Sequence, residues 1–128
     1  MSTTNLVITA KAREKLVKAR AGDITLPAIV GMAFGDGGVD AGGTPIPPSS
    51  SATALTHELL RKAVSGHSFP VATTCRYVCT LAENELVGKN ISELGLYDSS
   101  GDLVCIKTFT PKGKDGDIEL TFNVDDEF

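Results

Sequence analysis

Apolar positions recur along the chain at two different spacings. The first half reads largely at helical spacing and the second half at strand spacing. Residues 9 to 21, TAKAREKLVKARA, place Ala12, Leu16 and Ala19 on one helical face. Thr9 supplies an N-cap hydroxyl and Gly22 a stop, so a first helix is predicted there. Ile29 to Phe34 is short, apolar and bounded by glycines, the pattern of a buried strand. A second helix is predicted over about residues 56 to 65. Thr56 can cap it, Leu55 can pack on Leu60 as a hydrophobic staple, and Glu58 early with Arg61 and Lys62 late matches the helix dipole. Leu59, Leu60, Ala63 and Val64 spread over an apolar arc suited to covering a sheet, and Gly66 ends the element.

Beyond this point the period becomes two. Val71 to Leu81, VATTCRYVCTL, is rich in β-branched residues and is predicted as one long strand with Val71, Thr73, Cys75, Tyr77, Cys79 and Leu81 on one side. SELGLYD and DLVCIKTF follow, separated by the turn SSG, and DIELTFNV comes last, after the polar turn PKGKDG. Hairpin logic joins these last three segments into an antiparallel meander. The fold class predicted is α+β, with two N-terminal-half helices packed on a mainly antiparallel sheet that ends in a C-terminal meander. At 128 residues, the whole of 1–128 is expected to form a single domain.

One segment fits neither period. Residues 35 to 52, GDGGVDAGGTPIPPSSSA, hold five glycines, three prolines and three serines, which points to a long loop. Loops longer than about 12 to 15 residues inside a compact domain are usually functional or mobile, so this one is a candidate contact arm. Its prolines limit the entropy lost on docking. The residues singled out for partner contact are Asp36, Val39, Pro45, Ile46, Pro47 and Pro48.

Composition narrows the function classes. Hydrophobic residues at 41% and charged residues at 22% are ordinary for a globular protein, while aromatics at 5% and no tryptophan make the core aliphatic. A net charge of −4 argues against a nucleic-acid partner, which calls for a concentrated basic surface. The basic residues between 11 and 20 split around the helix, Lys11, Lys15 and Lys18 on one side and Arg13 and Arg20 on the other, which favours a solvated helix over a binding patch. No run of about 18 apolar residues is present, so no membrane span is expected. The polar start MSTTN is not a secretory signal, and Cys75, Cys79 and Cys105 form an odd set without a disulfide framework; both favour synthesis in a reducing cytoplasm.

Geometry limits the candidate chemistry. Cys75 and Cys79 with His57 and His67 have the right donors for zinc, but four residues of strand span about 13 Å, whereas two sulfurs on one zinc lie within about 4 Å. Buried structural cysteines are the better reading. The GDGG of residues 35 to 38 lacks the spacing of a phosphate-binding loop, and no nucleophile elbow or H-E-x-x-H motif accompanies the serines at 49 to 51. No catalytic, cofactor or metal residue is assigned, and the protein is expected not to be an enzyme.

The order of elements resembles the N-terminal domain of phage tail-collar fibre proteins, which attaches a tail fibre to the baseplate of contractile-tailed phages and phage-tail-like bacteriocins. The resemblance rests on ITAKAREKLVKA at 8 to 19, MAFGDGG at 32 to 38, LTHELLRKAV at 55 to 64 and ISELGLYDSSGDLVCI at 91 to 106. The hairpin is the most specific of these. Cys105 departs from the small residue usual in its second strand. The resemblance implies a structural component of a phage, prophage or tailocin particle, an adaptor joining fibre to baseplate through other tail or baseplate proteins and a tail fibre. It also implies a homo-oligomer, with a trimer favoured, no cofactor, no nucleic acid, no membrane, and location in the particle after synthesis in the host cytoplasm. The alternative reading is a small carbohydrate- or ligand-binding module using the loop and a sheet face.

Overall fold

The computed structural model describes residues 5–128, so the polar start read above lies outside the described residues apart from Asn5. Strand β1, Leu6–Ile8, leads directly into the helix α1, Ala10–Arg20. Thr9 caps that helix as expected, accepting from the Ala12 N–H at 3.1 Å. Its hydroxyl also donates to the Leu103 carbonyl at 2.7 Å, and the residue is 1% exposed, so the cap doubles as a tertiary anchor. Seven strands follow: β2 Ile29–Gly35, β3 Glu58–Ala63, β4 Gly66–Val71, β5 Thr74–Leu81, β6 Asn90–Asp98, β7 Leu103–Gly113 and β8 Leu120–Glu127.

They form two antiparallel sheets, one ordered β1-β7-β6-β2-β3 and one ordered β4-β5-β8. The main core lies between them. Met32 and Phe34 of β2, Leu94 and Leu96 of β6 and Cys105 of β7 face Cys79 and Leu81 of β5 and Phe122 and Val124 of β8. Phe34 and Phe122 meet across the layers with ring centroids 5.2 Å apart. The opposite face of the larger sheet has its own small core of Ala33, Leu55, Leu103 and Ile106, against which Val7, Ala52 and Tyr97 pack. The strict alternation of β2 explains the division, because Ala33 points one way and its neighbours Met32 and Phe34 the other.

The predicted α+β architecture of two helices on one sheet is therefore wrong. The fold is mainly β, with one short helix among the described residues. Residues 56 to 65 do not form the second helix. Glu58–Ala63 is instead strand β3, paired with β2 from Gly31↔Ala63 to Gly35↔Glu58. Leu, Arg, Lys and Ala favour a helix locally, but β2 is buried from Gly31 to Gly35 and its backbone groups need a partner on the side that β6 does not cover. Strand pairing satisfies them, and tertiary demand overrides propensity.

The predicted strand from Val71 to Leu81 is really the end of one strand and all of another. β4 and β5 are joined by a tight turn with Val71 paired to Thr74. The turn residues Ala72 and Thr73 include no Gly, Pro, Asn or Asp, so nothing local announced it. The expected C-terminal meander is half right. β6 and β7 form the hairpin, but β8 pairs with β5 in the smaller sheet. On the side away from β6, β7 pairs with β1 through Leu6↔Lys107, Val7↔Ile106 and Ile8↔Cys105.

Candidate functional site

The loop after β2 is built around a buried carboxylate. Glu93 of β6 is 1% exposed and lies on the sheet face that carries the smaller core. Its Oε1 accepts from the Thr56 N–H at 2.8 Å, and its Oε2 accepts from the Gly37 N–H at 2.9 Å and the His57 N–H at 2.8 Å. Three N–H groups converging on one carboxylate compensate the loss of water around it. Beside it, the Ser92 hydroxyl accepts from the Gly38 N–H at 3.0 Å. The GDGG of residues 35 to 38 is thereby fastened to the SEL that begins at residue 92.

The glycines follow from this closeness. A Cβ at Gly38 would collide with the Ser92 carbonyl, and one at Gly35 with the His57 carbonyl and the Glu93 side chain. Asp36 accepts from the His57 ring at Nδ1 and donates its N–H to the His57 carbonyl at 3.2 Å. Start and finish of the long loop are thus clamped together.

Between the clamps the chain turns back on itself. Val39 and Pro45 form an isolated antiparallel bridge, and Asp40 Oδ1 accepts from the Gly42 and Thr44 N–H groups to close the tip. Ile46 donates its N–H to the Gly38 carbonyl at 2.9 Å and accepts from the Thr108 hydroxyl at 2.8 Å, which fixes the returning limb to β7. Farther on, the Ser50 carbonyl accepts from the Ala10 N–H at 2.7 Å, at the first turn of α1. Under this limb lies a cleft of about 200 Å³ lined by Ile46, Pro47, Pro48, Leu55, Glu93 and Ile106, among others.

All six residues singled out from sequence thus fall on one folded strap. Ile46 is 47% exposed and Pro47 is exposed, while Asp36, Val39, Pro45 and Pro48 are half-buried. Asp36 and Val39 also border a shallow polar depression with Asp40, Lys89, Asn90 and Pro111.

The hairpin is anchored separately. Lys15 of α1 reaches the turn that joins β6 to β7, with its Nζ 2.6 Å from Asp98 and 2.7 Å from Asp102. Its side chain is only 13% exposed, an exception on a helix whose Lys11, Arg13, Glu14, Lys18 and Arg20 are exposed, as expected of a solvated helix. Burial pushes the Lys15 ammonium down, but the hydrogen bonds to Asp102 and Asp98 outweigh it and the net direction is up. The Lys15 ammonium holds the Asp102 carboxyl below its ordinary range. Gly101 completes the turn at φ +89°, a conformation an L side chain resists. On the same sheet face the Tyr97 ring fills the space above Gly31, and Arg61 lies over that ring, 4.6 Å from its centroid.

Three of the four pieces of the sequence pattern, GDGG, the LTHELLRKAV segment and the ELGLYD hairpin, thus meet around β2, β3 and β6. A family model, Phage tail-collar fibre protein, N-terminal, matches residues 1–119. The chain belongs to this family. As a tail-collar fibre domain it is a component of the virion tail with a structural role in the tail fibre, and it associates with other phage tail proteins. No curated protein and no solved structure matches the chain.

Cys75, Cys79, His57 and His67 form no metal-holding group among the described residues of this tail-fibre domain. Cys79 sits in the main core with its thiol directed at the Ala63 carbonyl, 3.6 Å away, and burial raises its pKa. His57 is engaged with Asp36, and the His67 ring packs near Phe69 and Tyr77 at centroid distances of 5.7 and 5.9 Å. Sequence reasoning missed Glu93 and Lys15. A carboxylate at the centre of an apolar strand, in ISELGLY, was the available signal for Glu93, since a charge at a core position requires a partner.

Proposed function

We propose that this domain is the adaptor that joins a tail fibre to the baseplate, and that the strap from residue 36 to residue 48 is its contact surface. The observation that carries the proposal is the combination of order and exposure in the strap. Its start is clamped by Glu93 and by Asp36 on His57, its returning limb is bonded to Thr108, and it still presents Ile46 and Pro47 to solvent. A surface fixed before binding loses little entropy when it docks. Asp36, Val39, Pro45 and Pro48 shape this surface from below, and Ile46 and Pro47 supply its apolar contact. The working assembly is a homotrimer within the particle, made in the host cytoplasm, acting by burial of surface and not by catalysis.

The test is incorporation into particles. Ile46→Asp with Pro47→Asp leaves the backbone bonds of Ile46 to Gly38 and Thr108 in place, so the purified chain should stay folded while the particles lose the fibre. Particles that assemble with wild-type fibre occupancy would show that the strap is not the contact. Light scattering of the purified chain and of its complex with the fibre tests the trimer.

A further inference from the structure

At the end of the molecule where β8 finishes, an opening of about 110 Å³ lies between α1, the connection from α1 to β2, and the last residues of β8. Its walls include Ile8, Leu16, Ile29 and Val104, and at its rim Leu26 and Phe128 are 46% and 73% exposed. An apolar cavity of roughly 150 Å³ accommodates a benzene molecule, so this one has room for a four-carbon chain.

Three charged residues interrupt these walls, and two of them, Lys15 and Asp98, are paired with each other, which leaves Asp126. Asp126 belongs to the inward-facing row of β8, two residues beyond Val124 and four beyond Phe122, both core residues. The neighbouring acids have partners. Asp98 is bound by Lys15, and Asp125 receives Arg76 Nε at 2.8 Å. The Asp126 carboxylate has no side-chain hydrogen bond or ion pair among the described residues, and burial pushes its pKa up. A half-buried carboxylate among apolar walls is costly without a cation. A lysine or arginine side chain meets both halves of the site, since its methylene stem suits the walls and its head suits the charge.

We propose that this opening receives a lysine or arginine side chain presented by another protein of the tail, with its stem between Leu26 and Phe128 and its charge on Asp126. The proposal rests on the tail-fibre reading for the identity of the partner, but the chemistry of the pocket can be tested on the isolated full chain.

The probes are n-butylammonium, which reproduces a lysine side chain, n-butanol, which lacks the charge, and butyrate, which reverses it. Binding is followed through the backbone amide resonances of Leu26, Asp126 and Phe128. The ammonium should bind these residues saturably and about fivefold more tightly than the alcohol, the scale of one partly exposed ion pair, and butyrate should not bind. Asp126→Asn should leave the fold intact and erase the preference for the ammonium. Equal binding of ammonium and alcohol, a preference that survives Asp126→Asn, or shifts scattered outside the pocket would overturn the proposal. So would sedimentation showing that the chain self-associates through Asp126, which would make a second copy the occupant. These measurements need no particle, so their failure leaves the placement of the strap to be judged by fibre incorporation.

Discussion

Replacing Glu93 by glutamine tests whether one carboxylate holds the strap in place. The wild-type side chain accepts three backbone N–H groups and donates none. Glutamine has nearly the same shape but offers one acceptor oxygen and one amide nitrogen. If its oxygen takes the Oε2 position, it keeps Gly37 and His57 and sets an NH2 against the Thr56 N–H; reversed, it confronts two donors. Hydrogen bonds to a charged group contribute about 1.5 to 3 kcal/mol each, and a buried donor left unpaired costs about 1 to 3 kcal/mol. Two bonds weakened and one donor orphaned give a loss of about 2 to 4 kcal/mol, because the cleft beside Glu93 admits water that recovers part of it. In a domain of this size that corresponds to a fall in Tm on the order of 10 °C. Thermal unfolding followed by circular dichroism measures the total. Hydrogen exchange locates it, with lost protection expected at Gly37, Thr56 and His57 and little change at Leu94 or Leu96. A Tm within about 2 °C of wild type, or unchanged exchange at those three amides, refutes the reasoning.

Lys15→Met should cost about 2 to 4 kcal/mol by chemical denaturation, since it leaves Asp98 buried without its cation, whereas Lys18→Met, which breaks only an exposed pair with Glu14, should cost less than about 0.5 kcal/mol. Gly38→Ala should lower Tm more than Gly43→Ala, because a Cβ at Gly38 strikes the Ser92 backbone while Gly43 has open space and only its φ of +82° to resist the change. Asp126→Asn should raise Tm at neutral pH. Its folded-state pKa is raised by burial, so the penalty it imposes appears as pH rises through that value and disappears below the ordinary aspartate range; the gain in the variant should therefore vanish on acidification. Acid should destabilise the wild type through the opposite shift. Asp102 and Asp125, held low by Lys15 and Arg76, contribute stability that is present above their unfolded pKa and lost as pH falls through the folded one, which a series of melts from pH 7 to pH 3 will record.

Local chemistry was enough for several elements. Thr9 caps α1 because its hydroxyl reaches the third N–H of the helix whatever surrounds it. The SSG turn defines the β6–β7 hairpin because Gly101 accepts a positive φ. The alternation along β6 puts Leu94 and Leu96 on one face and Glu93 and Gly95 on the other, and Gly95 leaves room for a neighbour: a Cβ there would meet the Cys105 carbonyl and Leu103 at 2.9 Å. The order of these motifs also carried the family. The site was legible only in outline. Composition located a loop at 35 to 52, but its clamping depends on Glu93, more than 50 residues away from Gly37 in the chain.

The short-range choices follow from the chain alone: where α1 starts, where β6 turns into β7, which residues of β6 share a face, and which family the chain resembles. Strand pairing does not. LTHELLRKAV is a helix by propensity and a strand in the protein because the buried backbone of β2 has an open side, and DIELTFNV leaves its expected neighbour to pair with β5 along the whole of that strand. Propensity differences amount to a few tenths of a kcal/mol per residue, whereas each buried backbone group left without a partner costs about 1 to 3 kcal/mol. Where the two compete, the partner on the far side of the fold prevails, and no local window contains it.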